Sequence, residues 1–277
     1  MIAVFPALLV AMPLLVPAAR VQDPAGKTPD KKDQEASDVP KPAEILVGGD
    51  AKMRYLLHGP DPDAKEPANG WRVLVVMPGG DGSADFAPFV GRIRQHALGK
   101  EWILAQLVAP KWDDQQKTVW PTGKNSFPGA KFTTETFFDS VLDDLGKRKK
   151  IDSKFVVTLS WSSGGPAAYA LALQPKTRVT ASLVAMSVFY RENLPSLKNA
   201  AGRRFYILHS PQDEVCQPKL AEQAREDLTK SGAEVEYATY EGGHGWHGDV
   251  YGEIKKGVDW LVSGEKPAKP KKAKDGK

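Results

Sequence analysis

A single cysteine, Cys216, stands in the whole 277-residue chain, which excludes an intramolecular disulfide framework and any cysteine-rich zinc module. Long apolar runs are equally scarce. The one candidate, Ile2 to Val16, is shorter than the ~20 residues a membrane-spanning helix needs and is interrupted by Pro6 and Pro13, so no membrane span is expected. Excess charge is missing from most of the chain as well. The net +4 is carried by residues 264–277, where Lys266, Lys269, Lys271, Lys272, Lys274 and Lys277 face only Glu265 and Asp275. Residues 20–43 balance five basic against five acidic side chains, and residues 44–263 are therefore neutral overall. A neutral domain lacks the basic footprint of a nucleic-acid binder, and no nucleic-acid partner is expected.

What is present divides the chain into four parts. Residues 1–19 read as a signal peptide: an uncharged apolar run is followed by Pro17-Ala18-Ala19, small residues of the kind a signal peptidase accepts. A secreted or periplasmic location follows as an expectation, although no Lys or Arg precedes the apolar run. Residues 20–43, rich in Pro, Lys and Asp, cannot bury enough apolar surface to offset ordering and read as a disordered linker. The Lys-rich tail, 264–277, reads as a solvated end that could tether the protein to a cell wall or another polyanion. Residues 44–263 have the size of one α/β domain, a monomer or a homodimer.

Within that domain, strand-like and helix-like patterns alternate. Strands are predicted at Met53–Leu57, Arg72–Met77, Trp102–Leu107, Phe155–Leu159, Ala181–Met186, Phe205–His209 and Glu234–Tyr240, several of them continuous apolar runs suited to a parallel sheet covered on both faces. Helices are predicted after Thr133-Thr134, at Pro166–Leu173, after Pro218, and through Val250, Ile254, Val258 and Leu261. The fold class is α/β: a doubly wound, mostly parallel sheet with helices on both faces and short antiparallel strands at its start. Ligands of such sheets bind beyond the carboxyl ends of the strands, so chemistry-bearing residues are sought there.

The strand Phe155–Leu159 runs into Ser160-Trp161-Ser162-Ser163-Gly164-Gly165 and then an Ala-rich helix. A nucleophile elbow requires this succession of strand, tight turn and helix, with small residues on either side of the nucleophile. Ser162 is the central residue, flanked at two positions' distance by Ser160 and Gly164; Ser160 sits where bulk is limited, and Ser163 is placed to offer its backbone N–H. A serine hydroxyl needs a base within hydrogen-bond reach and a carboxylate to orient that base. Asp213, just past the strand ending at His209, is the candidate acid, with Glu214 as its rival. His244, in Gly242-Gly243-His244-Gly245-Trp246-His247, is the candidate base, with His247 as competitor. His244 and His247 could also be read as a metal pair, but no further ligand lies at suitable spacing, and neither a metal nor an organic cofactor is expected. Donors for a developing oxyanion are expected from the N–H groups of Ser163 and of Gly80, with Gly79 and Asp81 as alternates, in the loop Pro78-Gly79-Gly80-Asp81-Gly82-Ser83.

With Gly80, Ser162, Asp213 and His244 in that order, residues 44–263 resemble the α/β-hydrolase superfamily. Within it, the oxyanion loop, the acid loop and Gly242-Gly243-His244-Gly245-Trp246 look like phospholipase/carboxylesterases, dienelactone-hydrolase-like esterases and the related polyhydroxybutyrate-depolymerase-like and feruloyl-esterase group. Two departures are Pro78, where such loops often carry His, and Ser160 in place of Gly. The resemblance implies a serine esterase with Ser162 as nucleophile, Asp213 and His244 as its partners, Gly80 and Ser163 as the oxyanion hole, and a small-molecule or polymer ester as substrate. Trp120, Trp161 and Trp246 are candidate walls of the substrate pocket. Acetylated or feruloylated polysaccharide is an alternative substrate, and a non-catalytic binding protein on a degenerate hydrolase fold is the alternative function.

Overall fold

The computed structural model describes residues 39–263; the signal-peptide reading, most of the linker and the Lys-rich tail lie outside them. Eight strands form one sheet: β1 (Ala43–Leu46), β2 (Arg54–His58), β3 (Trp71–Met77), β4 (Trp102–Leu107), β5 (Ile151–Trp161), β6 (Ala181–Ala185), β7 (Arg204–His209) and β8 (Glu234–Thr239). Their spatial order is β1-β2-β4-β3-β5-β6-β7-β8. β1 and β2 pair antiparallel, β2 pairs antiparallel with β4, and every pairing from β4 through β3 to β8 is parallel. The domain begins slightly earlier than the sequence suggested. Ala43 already pairs with Leu57, and the Val39 side chain closes over Gly91.

Alternation along the central strands sets the layers. Trp71, Val73, Val75 and Met77 of β3 face one core, shared with Phe137, Phe138, Val141, Leu142 and Leu145 of α2 (Thr134–Arg148), with the alanines of α3 (Gly165–Ala172) and with Ala221, Ala224 and Leu228 of α4 (Pro218–Lys230). Leu74 and Val76 face the other, built with Val90 and Ile93 of α1 (Ala87–His96) and with Ile254, Val258 and Leu261 of α5 (Val250–Val262). Each fully buried side chain of this size contributes about 1.5–3 kcal/mol, so the two cores rather than helix propensity hold the helices in place. Caps sharpen their ends. Thr133 Oγ1 accepts from the Thr136 N–H at 3.3 Å, and Asp249 Oδ1 from the Gly252 N–H at 3.0 Å.

Two features of the packing make predictions about stability. A Cβ on Gly164 would lie 2.3 Å from the Met77 carbonyl oxygen, whereas one on Gly146, within α2, would meet nothing within 4 Å. Gly164→Ala is expected to destabilise by about 2–4 kcal/mol and Gly146→Ala to stabilise by about 0.5–1 kcal/mol; urea unfolding of the two variants should move the midpoint in opposite directions. His58 is buried on β2, with Nε2 3.3 Å from Gln106 Oε1, and burial pushes its imidazole down to about 4. It folds as the neutral ring, while the unfolded chain takes up a proton near the ordinary value of 6.5. Its contribution is therefore present above pH ~6.5 and is lost as the pH falls towards 4, by about 3 kcal/mol as an upper bound. Unfolding measured between pH 7 and pH 4 should show this slope, and His58→Gln should flatten it.

Candidate active site

The chain leaves β5 at Trp161 and enters α3 at Gly165 through a single turn of 3-10 helix, Ser162–Gly164. Ser162 sits in this turn at φ +50°, in a region that costs a non-glycine residue about 1–2 kcal/mol. The conformation persists because its surroundings are filled: Gly164 lies against the Met77 carbonyl, and a Cβ on Gly165 would fall 2.0 Å from Ser187 Oγ. Ser187 in turn donates its hydroxyl to the Ser162 carbonyl at 2.6 Å. It follows Met186, the only other described non-glycine residue at positive φ, at +40°. Nothing in the sequence distinguished Met186-Ser187 from an ordinary strand end, and the reading from sequence missed this support.

The sequence candidates for acid and base converge on Ser162. Ser162 Oγ lies 3.0 Å from His244 Nε2, and His244 Nδ1 lies 2.9 Å from Asp213 Oδ2 and 3.1 Å from Oδ1. His244 is held in reach by a loop that turns at Gly242 and Gly245, at φ +126° and +137°, conformations open to glycine and strained for other residues. The acid and base loops are also tied together: Ser210, following β7, donates its hydroxyl to the Gly242 carbonyl. His247 is turned away, stacked on Tyr240 at 6.2 Å between ring centroids. Glu214 is exposed.

The Asp213 carboxylate is buried, and a buried carboxylate requires donors. The N–H groups of Val215 and Cys216 supply them to Oδ1 at 2.9 and 2.8 Å. Beneath it His209, wholly buried, donates from Nε2 to the Cys216 carbonyl at 2.7 Å, with Asp213 Oδ2 3.6 Å away. Burial lowers the His209 pKa. This neutral imidazole therefore props the acid loop without placing a second cation beside Asp213. The buried Cys216 side chain reaches the same cluster, its Sγ lying within 4.8 Å of a ring nitrogen of His244 and a carboxylate oxygen of Asp213. Burial first, and the Asp213 charge second, push its thiol up to about 12.

On the opposite side of Ser162, the Pro78–Ser83 loop comes off β3. Ser163 Oγ donates to the Gly80 carbonyl at 2.8 Å, so the residues bearing the two expected oxyanion donors are linked directly. Trp120 Nε1 donates to the Pro78 carbonyl at 3.0 Å, and the Gly82 N–H closes back on the Gly79 carbonyl at 3.0 Å. These contacts correct the reading of two tryptophans as pocket walls. Trp120 and Trp161 are each only 4% exposed. Trp120 anchors the Gly-rich loop from outside, and Trp161 packs under it, edge-on to Phe86 and Trp246 at 5.4 and 5.8 Å. An indole close to the Ser162 turn reads alike in sequence whether it faces solvent or core. Trp246 remains partly exposed, and Tyr190, on the segment after β6, is 44% exposed. Ser160, the small residue two positions before Ser162, is fully buried between Met77 and Val184.

The arrangement is a hydroxyl, an imidazole and a carboxylate in hydrogen-bonded sequence at the carboxyl edge of a parallel sheet, beside a helix N-terminus and a pinned Gly-rich loop. No family model matches the chain, and no curated protein matches it in sequence. Solved structures do match in shape. A Bacillus cereus carboxylesterase superposes with a TM-score of 0.59 at 17% identity, over 78% of this chain and 97% of its own. Thermogutta terrifontis esterase 2 with propionate bound gives 0.60 at 15% identity over 82% and 95%. MGS-M1, an α/β hydrolase from a Medee basin deep-sea metagenome, gives 0.56 at 14% identity over 80% and 98%. The chain thus has the α/β-hydrolase fold.

Proposed function

We propose that this protein is a serine hydrolase that cleaves carboxylic esters through an acyl-enzyme on Ser162. The observation that carries the reading is the unbroken chain from Ser162 Oγ to His244 Nε2 at 3.0 Å and from His244 Nδ1 to Asp213 Oδ2 at 2.9 Å, on a nucleophile held at φ +50°. A serine used only as a helix cap would need neither the strained turn nor a buried, fully bonded carboxylate behind its partner imidazole. The matching shapes of two esterases support the same reaction class, and one of them, Thermogutta terrifontis esterase 2, is phosphonylated by sarin.

The chemistry follows from the geometry. His244 Nε2 takes the Ser162 proton as Oγ attacks the ester carbonyl carbon, and Asp213 holds the ring with Nδ1 protonated and stabilises the imidazolium that forms. The carbonyl oxygen, now negative, is received by the N–H groups of Gly80 and Ser163. The Ser163 N–H belongs to the first turn of a helix, whose N–H groups have no partner within the helix. The imidazolium then protonates the departing alcohol. Water, activated by the same nitrogen, hydrolyses the acyl-enzyme and regenerates the serine. Trp246, on the His244 loop, and Phe86, beside Gly80, are partly exposed aromatic side chains placed to meet a substrate. We also propose export of the protein, on the strength of the apolar segment Ile2–Val16 and the small residues that follow it.

Two measurements test the proposal. Ser162→Ala is expected to lower turnover of a p-nitrophenyl ester by about 10⁴-fold or more and to abolish labelling by a fluorophosphonate; undiminished labelling of that variant would falsify the assignment of the nucleophile. Trp120→Phe keeps an aromatic ring in the buried site but removes the donor to the Pro78 carbonyl, loosening the oxyanion loop. The expectation is a kcat about tenfold lower with KM little changed, since the loss falls on the transition state. A rise in KM at constant kcat would instead mark Trp120 as part of the binding surface.

A further inference from the structure

Cys216 is the chain's one cysteine, and the fold delivers it to the candidate active site. The turn that brings its N–H to Asp213 Oδ1 at 2.8 Å, and its carbonyl to His209 Nε2 at 2.7 Å, also sets its thiol among the side chains around Asp213 and His244. Its Sγ, a ring nitrogen of His244 and a carboxylate oxygen of Asp213 all lie within 4.8 Å of one another, the one such grouping of potential metal ligands among the described residues. Ester hydrolysis as derived above makes no use of a thiol. A small aliphatic side chain would fill the same buried space, because a cysteine packs as a small hydrophobe.

We propose that Cys216 Sγ and His244 Nε2 form an inhibitory site for a thiophilic divalent cation such as zinc(II) or cadmium(II). The ligand chemistry selects the class of ion: thiolate with imidazole suits zinc-group metals and excludes magnesium and calcium, which demand oxygen. The imidazole is already oriented for the task. Its Nδ1 is bonded to the buried Asp213 carboxylate and its Nε2 faces Ser162 Oγ, the carboxylate–histidine arrangement that fixes a ligating ring in zinc sites. In a tetrahedral shell with bonds of about 2.0 Å to nitrogen and 2.3 Å to sulfur, the two ligand atoms stand roughly 3.5 Å apart, and the fold already holds Sγ within 4.8 Å of a His244 ring nitrogen. Ser162 and His244 are both partly exposed, which gives an ion the same way in as a substrate.

On binding, the Cys216 S–H bond breaks, its proton leaves to the solvent, and a sulfur–metal bond forms. His244 Nε2 donates its lone pair to the metal, while Ser162 keeps its proton and either completes the shell as a neutral hydroxyl or yields the place to water. No electron is transferred. An imidazole whose lone pair is held by a metal cannot accept the serine proton, so the bound ion stops acyl transfer until it leaves. It is an inhibitor, not a cofactor. The binding half of this inference stands on the geometry; the inhibition half rests on the hydrolase reading.

The test has two arms, both on the full chain in a buffer that does not chelate metals. In the first, cadmium(II) is titrated and the thiolate-to-cadmium charge-transfer band is followed in the ultraviolet. With a single cysteine in the chain, any such band reports Cys216. The expected result is saturation at one equivalent, with half-saturation at least about tenfold higher in His244→Gln. Failure of the band to appear at millimolar cadmium, or an unchanged titration in His244→Gln, overturns the site. In the second arm, ester hydrolysis is measured against cadmium, each protein normalised to its own metal-free rate. Cys216→Val is expected to need at least about tenfold more cadmium for half-inhibition than the wild type, and equal sensitivity of the two overturns the inhibitory role. A chain that binds cadmium through Cys216 and His244 but hydrolyses no ester would sink the hydrolase reading and leave the metal site standing.

Discussion

The contact on which the rest depends is the passage of the α3 N-terminus across the carboxyl end of β3. Gly164 lies against the Met77 carbonyl with no room for a Cβ, and Gly165 against Ser187 with none either. Packing that tight forces Ser162 into the left-handed region, and the turn holds its Oγ at the sheet edge. The strain is small, about 1–2 kcal/mol, against two cores whose side chains each contribute about as much on burial. The sheet can therefore hold one residue, and its neighbour Met186, in poor backbone conformations without losing the fold.

Around that turn the polar groups are arranged so that each buried charge has partners. Asp213 is bonded by two backbone N–H groups and the His244 ring. His209, which could have competed for it, is committed to the Cys216 carbonyl and kept neutral by burial. The Gly-rich loop after β3 is fixed from two sides, by Ser163 Oγ on the Gly80 carbonyl and by Trp120 Nε1 on the Pro78 carbonyl. For the proposed reaction such preorganisation matters, because donors already in place need no reorganisation as charge develops. The same turn places Cys216: the third residue after Asp213 returns its N–H to the Asp213 carboxylate and its thiol to within 4.8 Å of a His244 ring nitrogen.

Much of this was legible in the sequence because it rests on period and punctuation. The seven predicted strands are all present, one of them, Trp102–Leu107, with its ends unchanged, since buried parallel strands appear as unbroken apolar runs between turn residues. Ser162, Asp213 and His244 could be named because each follows a strand, and Ser162 and His244 also sit among small residues. α1 was not anticipated: its ten residues carry Pro88, Gly91, Arg92 and Arg94, a weak helical signal that becomes a helix through packing of Val90 and Ile93 on the sheet. The roles of Trp120, Ser187 and Cys216 were not legible either. Each depends on which loop lies next to which, and a hydrogen bond across 42 residues or a thiol brought near an imidazole from another loop has no local signature. The departures from the superfamily pattern proved compatible with the fold: Ser160 is accommodated between β3 and β6 with its side chain fully buried.

The central claim is that Ser162 attacks and that Gly80 and Ser163 receive the oxygen. The most direct test is a crystal structure of the protein after reaction with a phosphonate ester. The account predicts phosphorus bonded to Ser162 Oγ, with the phosphoryl oxygen about 2.7–3.1 Å from the backbone nitrogens of Gly80 and Ser163. Phosphorus on any other side chain, or a phosphoryl oxygen turned away from both nitrogens, would contradict it.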